Sequence, residues 1–143
     1  MNQTFIRPYL IDLPHQMNPM GFIAFAELGD LIDMMVERMF WIKDVPVGAK
    51  RGIHAHLKEN QVLFCLQGTV TVSLEMLDAS QEIFQLSHAA QALYLPALAW
   101  SEISFGEDAV LLVISDQPFE EENYIRDKEL FFHMQAQYEA WRK

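Results

Sequence analysis

Cysteine is almost absent from this sequence, Cys65 being the only one. A lone thiol excludes an internal disulfide framework and fits a reducing compartment, so a cytoplasmic location is expected. Cys65 sits in the apolar run Val62 to Leu66 and reads as a buried, inert thiol. Long apolar runs are also missing. Nothing approaches the roughly 20 residues that a membrane-spanning helix needs. The start, Met1-Asn2-Gln3-Thr4-Phe5, has neither the positive charge nor the apolar stretch of a signal peptide. Positive charge is scarce, with 10 Lys and Arg against 20 Asp and Glu, a formal net charge of -10 and a pI near 4.8. That balance argues against nucleic acid and anionic membrane as partners. Repeats, low-complexity tracts and internal linkers are lacking too.

What is present is a chain of 143 residues, 51% hydrophobic and 12% aromatic. This suits one domain over residues 1–143 with a sizeable core. An opening strand or arm is expected over Phe5 to Asp12, then a loop marked by Pro14, Asn18, Pro19 and Gly21. Strands are expected over Phe22 to Glu27, Arg38 to Lys43, Ile53 to Leu57, Gln61 to Leu66, Thr69 to Met76, Glu82 to Leu86, Ala92 to Leu95, Trp100 to Phe105 and Val110 to Ser115. Leu31 to Met35 fits a short helix or a loop. Gln67-Gly68 suggests a tight hairpin, and Gly106-Glu107-Asp108 a turn. Many short strands at this spacing indicate a sandwich or small barrel. From about residue 127 to 141 the period changes: Leu130, Phe131, Met134, Tyr138 and Trp141 recur at helical spacing. An amphipathic C-terminal helix packed on the sheet is expected.

The chemistry centres on Arg51-Gly52-Ile53-His54-Ala55-His56. Alternation along a strand places His54 and His56 on one face and Ile53, Ala55 and Leu57 on the other. Two imidazoles on one face suit proton transfer near neutral pH or half of a metal site. They also fit two surface histidines on an edge strand. His15, His88 and His133 lack such a context, and Met34, Met35 and Met39 read as packing. An anionic ligand would need a local positive patch, for which Arg51 and Arg38 are nearest in sequence.

Gly52, the His-x-His pair and the following Gly68 resemble the first cupin motif, with Gln61 where that motif has Glu. Tyr94-Leu95-Pro96-Ala97-Leu98-Ala99-Trp100-Ser101-Glu102 stands where the second motif has its Pro and His, yet no histidine lies near Trp100. Metal sites generally need three or four N, O or S ligands. Two histidines and an amide form a poor set, so the pair reads as acid/base machinery, with no metal and no cofactor expected.

The wider pattern resembles the WxcM-like sugar ketoisomerases. It comprises Asp12-Leu13-Pro14, Gly21-Phe22-Ile23-Ala24 with Glu27, the RGxHAH segment, Gln61-Val62-Leu63, Gly68-Thr69-Val70-Thr71-Val72, Leu93-Tyr94-Leu95-Pro96 with Trp100-Ser101-Glu102, and Asn123-Tyr124-Ile125-Arg126. This covers nearly the whole chain. The resemblance implies a mainly β cupin jelly roll with a C-terminal helix. It implies an isomerase that moves the keto group of dTDP-4-keto-6-deoxyglucose from C4 to C3, in deoxyamino-sugar biosynthesis for cell-surface glycans. His54 and His56 would be catalytic. Arg51, as a diphosphate ligand, would bind substrate together with Gln61, Tyr94, Trp100 and Glu102. Tyr124 and Arg126 match the family ending but suit helix docking better. A homodimer is implied, with the N-terminal arm a candidate for strand exchange. The chain departs from the family at Phe40 and Trp41, where tyrosines are usual, and at Ser101, where His is frequent. Other readings are a nucleotide-sugar 3,5-epimerase with Tyr94 as its acid, a non-catalytic sugar-binding cupin, and a metal-dependent cupin oxygenase.

Overall fold

The computed structural model describes residues 6–142, without the side chains of residues 141 and 142. Phe5 of the expected arm and the Trp141 side chain of the expected helical stripe therefore lie outside the described residues. The strands are β1 (Tyr9–Asp12), β2 (His15–Asn18), β3 (Gly21–Ala24), β4 (Arg38–Ile42), β5 (Lys50–His56), β6 (Gln61–Gln67), β7 (Val70–Glu75), β8 (Gln81–Leu86), β9 (Gln91–Leu95), β10 (Trp100–Phe105), β11 (Val110–Ser115) and β12 (Tyr124–Ile125), followed by helix α1 (Lys128–Arg142). One antiparallel sheet has the order β1-β9-β6-β11-β4 and a second β12-β5-β10-β7-β8, while β2 and β3 form a separate ribbon. This is the expected jelly roll.

Alternation builds the interior. Val70, Val72 and Leu74 of β7, Ile103 and Phe105 of β10, Leu111 and Val113 of β11, and Leu93 and Leu95 of β9 meet between the sheets. β6 is apolar on both faces for a reason. Leu63 and Cys65 point into that core, while Val62 and Phe64 join an outer cluster with Ile11, Leu13, Ile32, Met34 and Ala92. A strand covered on both sides reads as a continuous apolar run. Cys65 is buried and free, as expected.

Several local expectations are corrected. Gln67-Gly68 does not close a hairpin, because β6 and β7 belong to different sheets. The turn carries the chain across the sandwich and packs on the β10–β11 turn, with the Gly106 amide donating to the Thr69 carbonyl at 2.8 Å. Gly68 has φ +72°, and a Cβ there would lie 2.8 Å from Ala109 Cα. Backbone approach and the left-handed conformation both demand glycine. His15 to Asn18, expected as loop, pairs with β3 in register from His15–Ala24 to Asn18–Gly21. Of the two readings for Leu31 to Met35, the loop is the one found, with an isolated bridge between Leu28 and Ile32. The two-residue β12 has no sequence signal of its own length.

The helix is where it was expected, but its buried face is rotated. Phe131 is fully buried against Ala55, Trp100 and Ile125, with Met134 and Tyr138 partly buried beside them. Leu130 is half exposed and Gln135 takes the inner position, donating to the Met76 carbonyl at 2.8 Å and to Glu75 at 3.1 Å. Among the described residues no helix is long and apolar enough to cross a membrane. β1 pairs with β9 of its own chain.

Candidate active site

The site begins with an irregularity in β5. Ser101 of β10 stands opposite His54, while Ile103 stands opposite Arg51, so β5 carries one extra residue between them. The extra residue is accommodated at Gly52, which has φ +63°. This is a β-bulge with glycine in the left-handed region. In a regular strand Arg51 and His54 would face opposite ways; the bulge places both on the wall of one cavity. Ser101 holds the bulge by donating from Oγ to the Gly52 carbonyl at 2.6 Å, with the His54 carbonyl at 3.2 Å.

The cavity encloses about 590 Å³, and its wall includes Phe40, Arg51, His54, Gln61, Tyr124 and Arg126. His56 lies beneath it, 5% exposed. Three rings meet edge to face: His54 and His56 have centroids 4.8 Å apart, His54 and Tyr124 5.0 Å, and His56 and Tyr124 4.5 Å. Tyr124 reaches the histidines because β12 pairs with β5, setting Tyr124 opposite His56 and Ile125 opposite Ala55. Tyr124 is thus part of the site, contrary to the sequence expectation that it serves helix docking.

Behind His56 lies a buried ionic network. Arg38 donates from Nη2 to both carboxylate oxygens of Glu59, at 3.1 and 2.9 Å. Gln61 Nε2 donates to Glu59 Oε2 and lies 3.4 Å from His56 Nε2. Glu59 is 1% exposed. A buried carboxylate needs such partners. Arg38, considered from the sequence as an anion ligand, is committed to Glu59. Arg126 pairs with Glu121 at 2.6 Å and lies 4.3 Å from the Tyr124 ring centroid at the cavity wall.

Both histidines are held neutral. Burial, then the Arg126 charge, lowers the His54 pKa to about 4, against a smaller opposing effect of Glu121. Burial, then His54, Arg38 and Arg126, lowers that of His56 to about 3. Burial also raises the Tyr124 phenol above its ordinary value, with Glu59 adding to the effect, so it remains a donor at neutral pH. The cluster can accept a proton at His54 and offer one from Tyr124.

Of the residues singled out in the sequence, the structure brings together His54, His56, Arg51 and Gln61. It does not bring Tyr94, Trp100 and Glu102 to them. Trp100 and Glu102 flank inward-facing Ser101 and therefore point outward. Trp100 packs on Phe131 under the helix, at 5.8 Å between ring centroids, and Glu102 pairs with Lys50 at 3.3 Å. Tyr94 lies on the outer side of the other sheet, stacked on Tyr9 at 4.9 Å. Of the residues at which the chain departs from its family, Phe40 lines the cavity, Ser101 pins the bulge, and Trp41 is exposed on the outer face. Glu59 was not singled out in the sequence. It sits in the polar turn Leu57-Lys58-Glu59-Asn60, where a carboxylate carries no signal of burial. Among the described residues no group of three or more His, Cys, Asp or Glu could hold a metal ion.

Fold and site together describe a cupin jelly roll with a histidine pair set at one cavity. The family model described as "FdtA: WxcM-like, C-terminal" matches residues 7–136, and the chain belongs to that family. A TDP-4-oxo-6-deoxy-alpha-D-glucose-3,4-oxoisomerase from Aneurinibacillus thermoaerophilus is 34% identical over 112 residues, 78% of this chain and 80% of that one. The sugar 3,4-ketoisomerase QdtA of Thermoanaerobacterium thermosaccharolyticum, solved in complex with TDP, superposes with a TM-score of 0.85 at 30% identity, covering 92% of this chain and 96% of that one. A 3,4-ketoisomerase from Helicobacter canadensis gives a TM-score of 0.84 at 25% identity, covering 90% and 97%.

Proposed function

We propose that the chain is a 3,4-ketoisomerase of a TDP-linked 4-keto-6-deoxy sugar, acting by histidine acid/base catalysis through an enediol. The observation that carries this reading is the neutral His54 on the wall of a cavity, in contact with His56 and Tyr124 and flanked by Arg51 and Arg126. QdtA has been crystallised with TDP, and a mutant of it with TDP-4-keto-6-deoxyglucose. The Arg51 guanidinium has no ion-pair or hydrogen-bond partner among the described residues, and its planar donor fork suits a diphosphate.

The C4 ketone acidifies the hydrogen on C3. His54 takes that proton, the C–H electron pair forms a C3–C4 double bond, and the carbonyl pair moves onto O4. The enediolate then collapses in the other direction: O4 gains a proton, O3 loses its own, and C4 receives a proton. The ketone is now at C3. The residues named need only supply a base for carbon and hydrogen-bond donors to the developing oxyanion. His56 and Tyr124 are the groups nearest His54 for the oxygen steps. Return of the proton by His54 to the face from which it came gives the galacto product. The gluco product needs a donor on the other face. A place in deoxyamino-sugar assembly for cell-surface glycans follows from the same reading.

The test is to incubate the protein with dTDP-4-keto-6-deoxyglucose in deuterium oxide and follow the sugar by NMR. A 3-keto product with deuterium introduced during isomerisation supports the reading. Retention of the 4-ketone with exchange at C3 and C5 would instead identify a 3,5-epimerase, and binding without exchange a sugar-binding protein.

A further inference from the structure

The function above leaves the buried Glu59 carboxylate unused, although it lies 3.6 Å from a nitrogen of His56. That distance is too long for a hydrogen bond. What Glu59 does contact is the Gln61 amide, and this contact fixes which end of the amide faces where. A carboxylate oxygen can only accept, so the amide end bonded to Glu59 must be the NH2 group. The same nitrogen lies 3.4 Å from His56 Nε2. Its second hydrogen is therefore available to His56, and an Nε2–H there would set donor against donor. The other ring nitrogen, Nδ1, is buried and has no partner among the described residues.

We infer that Glu59 is a positioning residue which, by orienting the Gln61 amide, holds neutral His56 as its Nδ1–H tautomer. Arg38 completes the device: its guanidinium binds both Glu59 oxygens, so the carboxylate cannot rotate away from Gln61. The consequence is directional. His56 keeps Nε2 as an acceptor toward the protein and carries its proton on the nitrogen that the chain leaves unpaired. That nitrogen has no exposed surface, so its proton is held inside the protein beside the His54 and Tyr124 rings. His56 would then support His54 from beneath the cavity wall while His54 serves carbon. Gln61 acts through His56 instead of binding the sugar by its amide nitrogen. This assignment of roles rests on the ketoisomerase reading; the tautomer does not.

Two-bond proton–nitrogen correlation spectra of protein labelled with 15N-histidine report the tautomer without substrate. The His56 signals are assigned by their loss in His56→Asn. At neutral pH the wild type should show a protonated Nδ1 and an unprotonated Nε2. Gln61→Met removes the donor at similar size, and Glu59→Gln removes the charge that orients it. Each should shift His56 toward the Nε2–H form favoured by free imidazole. Gln61→Met should also lower kcat by roughly 10²-fold, the scale of one acid/base group, with KM changed by no more than about twofold. Nε2–H in the wild type would overturn the inference, and needs no variant to fold. Nδ1–H persisting in folded Gln61→Met or Glu59→Gln would also overturn it. A wild type that shows Nδ1–H but does not isomerise the sugar would count against the reaction and leave the tautomer standing.

Discussion

The Ser101 hydroxyl donates to the Gly52 carbonyl at 2.6 Å, joining β10 to the bulge of β5. This one bond ties together the two features that orient the cavity: the left-handed glycine and the strand that carries His54. Gly52→Ala would place a Cβ 3.2 Å from Ile103 Cδ1 at φ +63°. The expected cost is about 1–2 kcal/mol of stability, read as a lower denaturant midpoint. Because the bulge sets the direction of Arg51, KM for the nucleotide sugar should rise in Gly52→Ala and in Arg51→Ala. Titration calorimetry with TDP gives the same comparison for binding alone, and unchanged affinity in Arg51→Ala would remove Arg51 as an anion ligand.

The two histidines should separate in their effects. His54→Asn should bind the nucleotide sugar nearly normally and suppress exchange at C3, lowering turnover by roughly 10²–10⁴-fold. His56→Asn should still allow slow C3 exchange while blocking the 3-keto product, because carbon deprotonation precedes the oxygen steps. Exchange and product are both read from NMR in deuterium oxide. Full isomerisation by His54→Asn would exclude it as the base.

Acid should destabilise the fold through these same groups. The folded pKa values of about 4 and about 3 lie below the ordinary histidine value of 6.5. The unfolded chain therefore binds more protons between those limits, and stability falls as pH drops from about 6.5 toward 4. Thermal melts across this window should show a steeper loss in the wild type than in a folded His54→Asn, His56→Asn double variant. Equal slopes would mean that other groups dominate. The acid limb of kcat/KM should likewise lie well below pH 6.5.

Activity should survive exhaustive chelation. Gln61 stands where cupin motifs have a carboxylate, its amide nitrogen is held by Glu59, and no group of three ligands forms among the described residues. Loss of turnover in EDTA with rescue by a divalent metal would refute the acid/base reading.

A homodimer is expected, in line with the family resemblance. Phe25, Leu28, Met39 and Leu66, each about half exposed, line an apolar groove of about 540 Å³ on the outer side of the β1-containing sheet. An exposed apolar groove suits a protein–protein contact, and a second copy of the chain is a self-complementary cover for it. Light scattering at micromolar concentration should give a dimer mass, and Leu66→Glu should shift it toward monomer. A monomeric wild type would refute this.

Much of the framework was legible because it is encoded locally. Alternation marked the sheet strands, the apolar run Val62 to Leu66 marked a strand with a buried thiol, and the spacing of His54 and His56 fixed their common face. The helix announced itself by its period, although the inward position of Gln135 depends on the Met76 carbonyl it meets. Other features were decided by register between distant strands. Trp100, Ser101 and Glu102 alternate whatever the fold, but only the pairing of Ser101 with His54 determines that the serine faces inward and its neighbours outward. Arg51 shares a face with His54 only because one residue is inserted at Gly52. Tyr124 enters the site only because a two-residue strand pairs with β5. Glu59 becomes part of the histidine's surroundings only when Arg38, 21 positions away, closes over it. Period along a chain is a local property of the backbone. The identity of the neighbour across a sheet is set by long-range hydrogen bonding, which the spacing of residues does not specify.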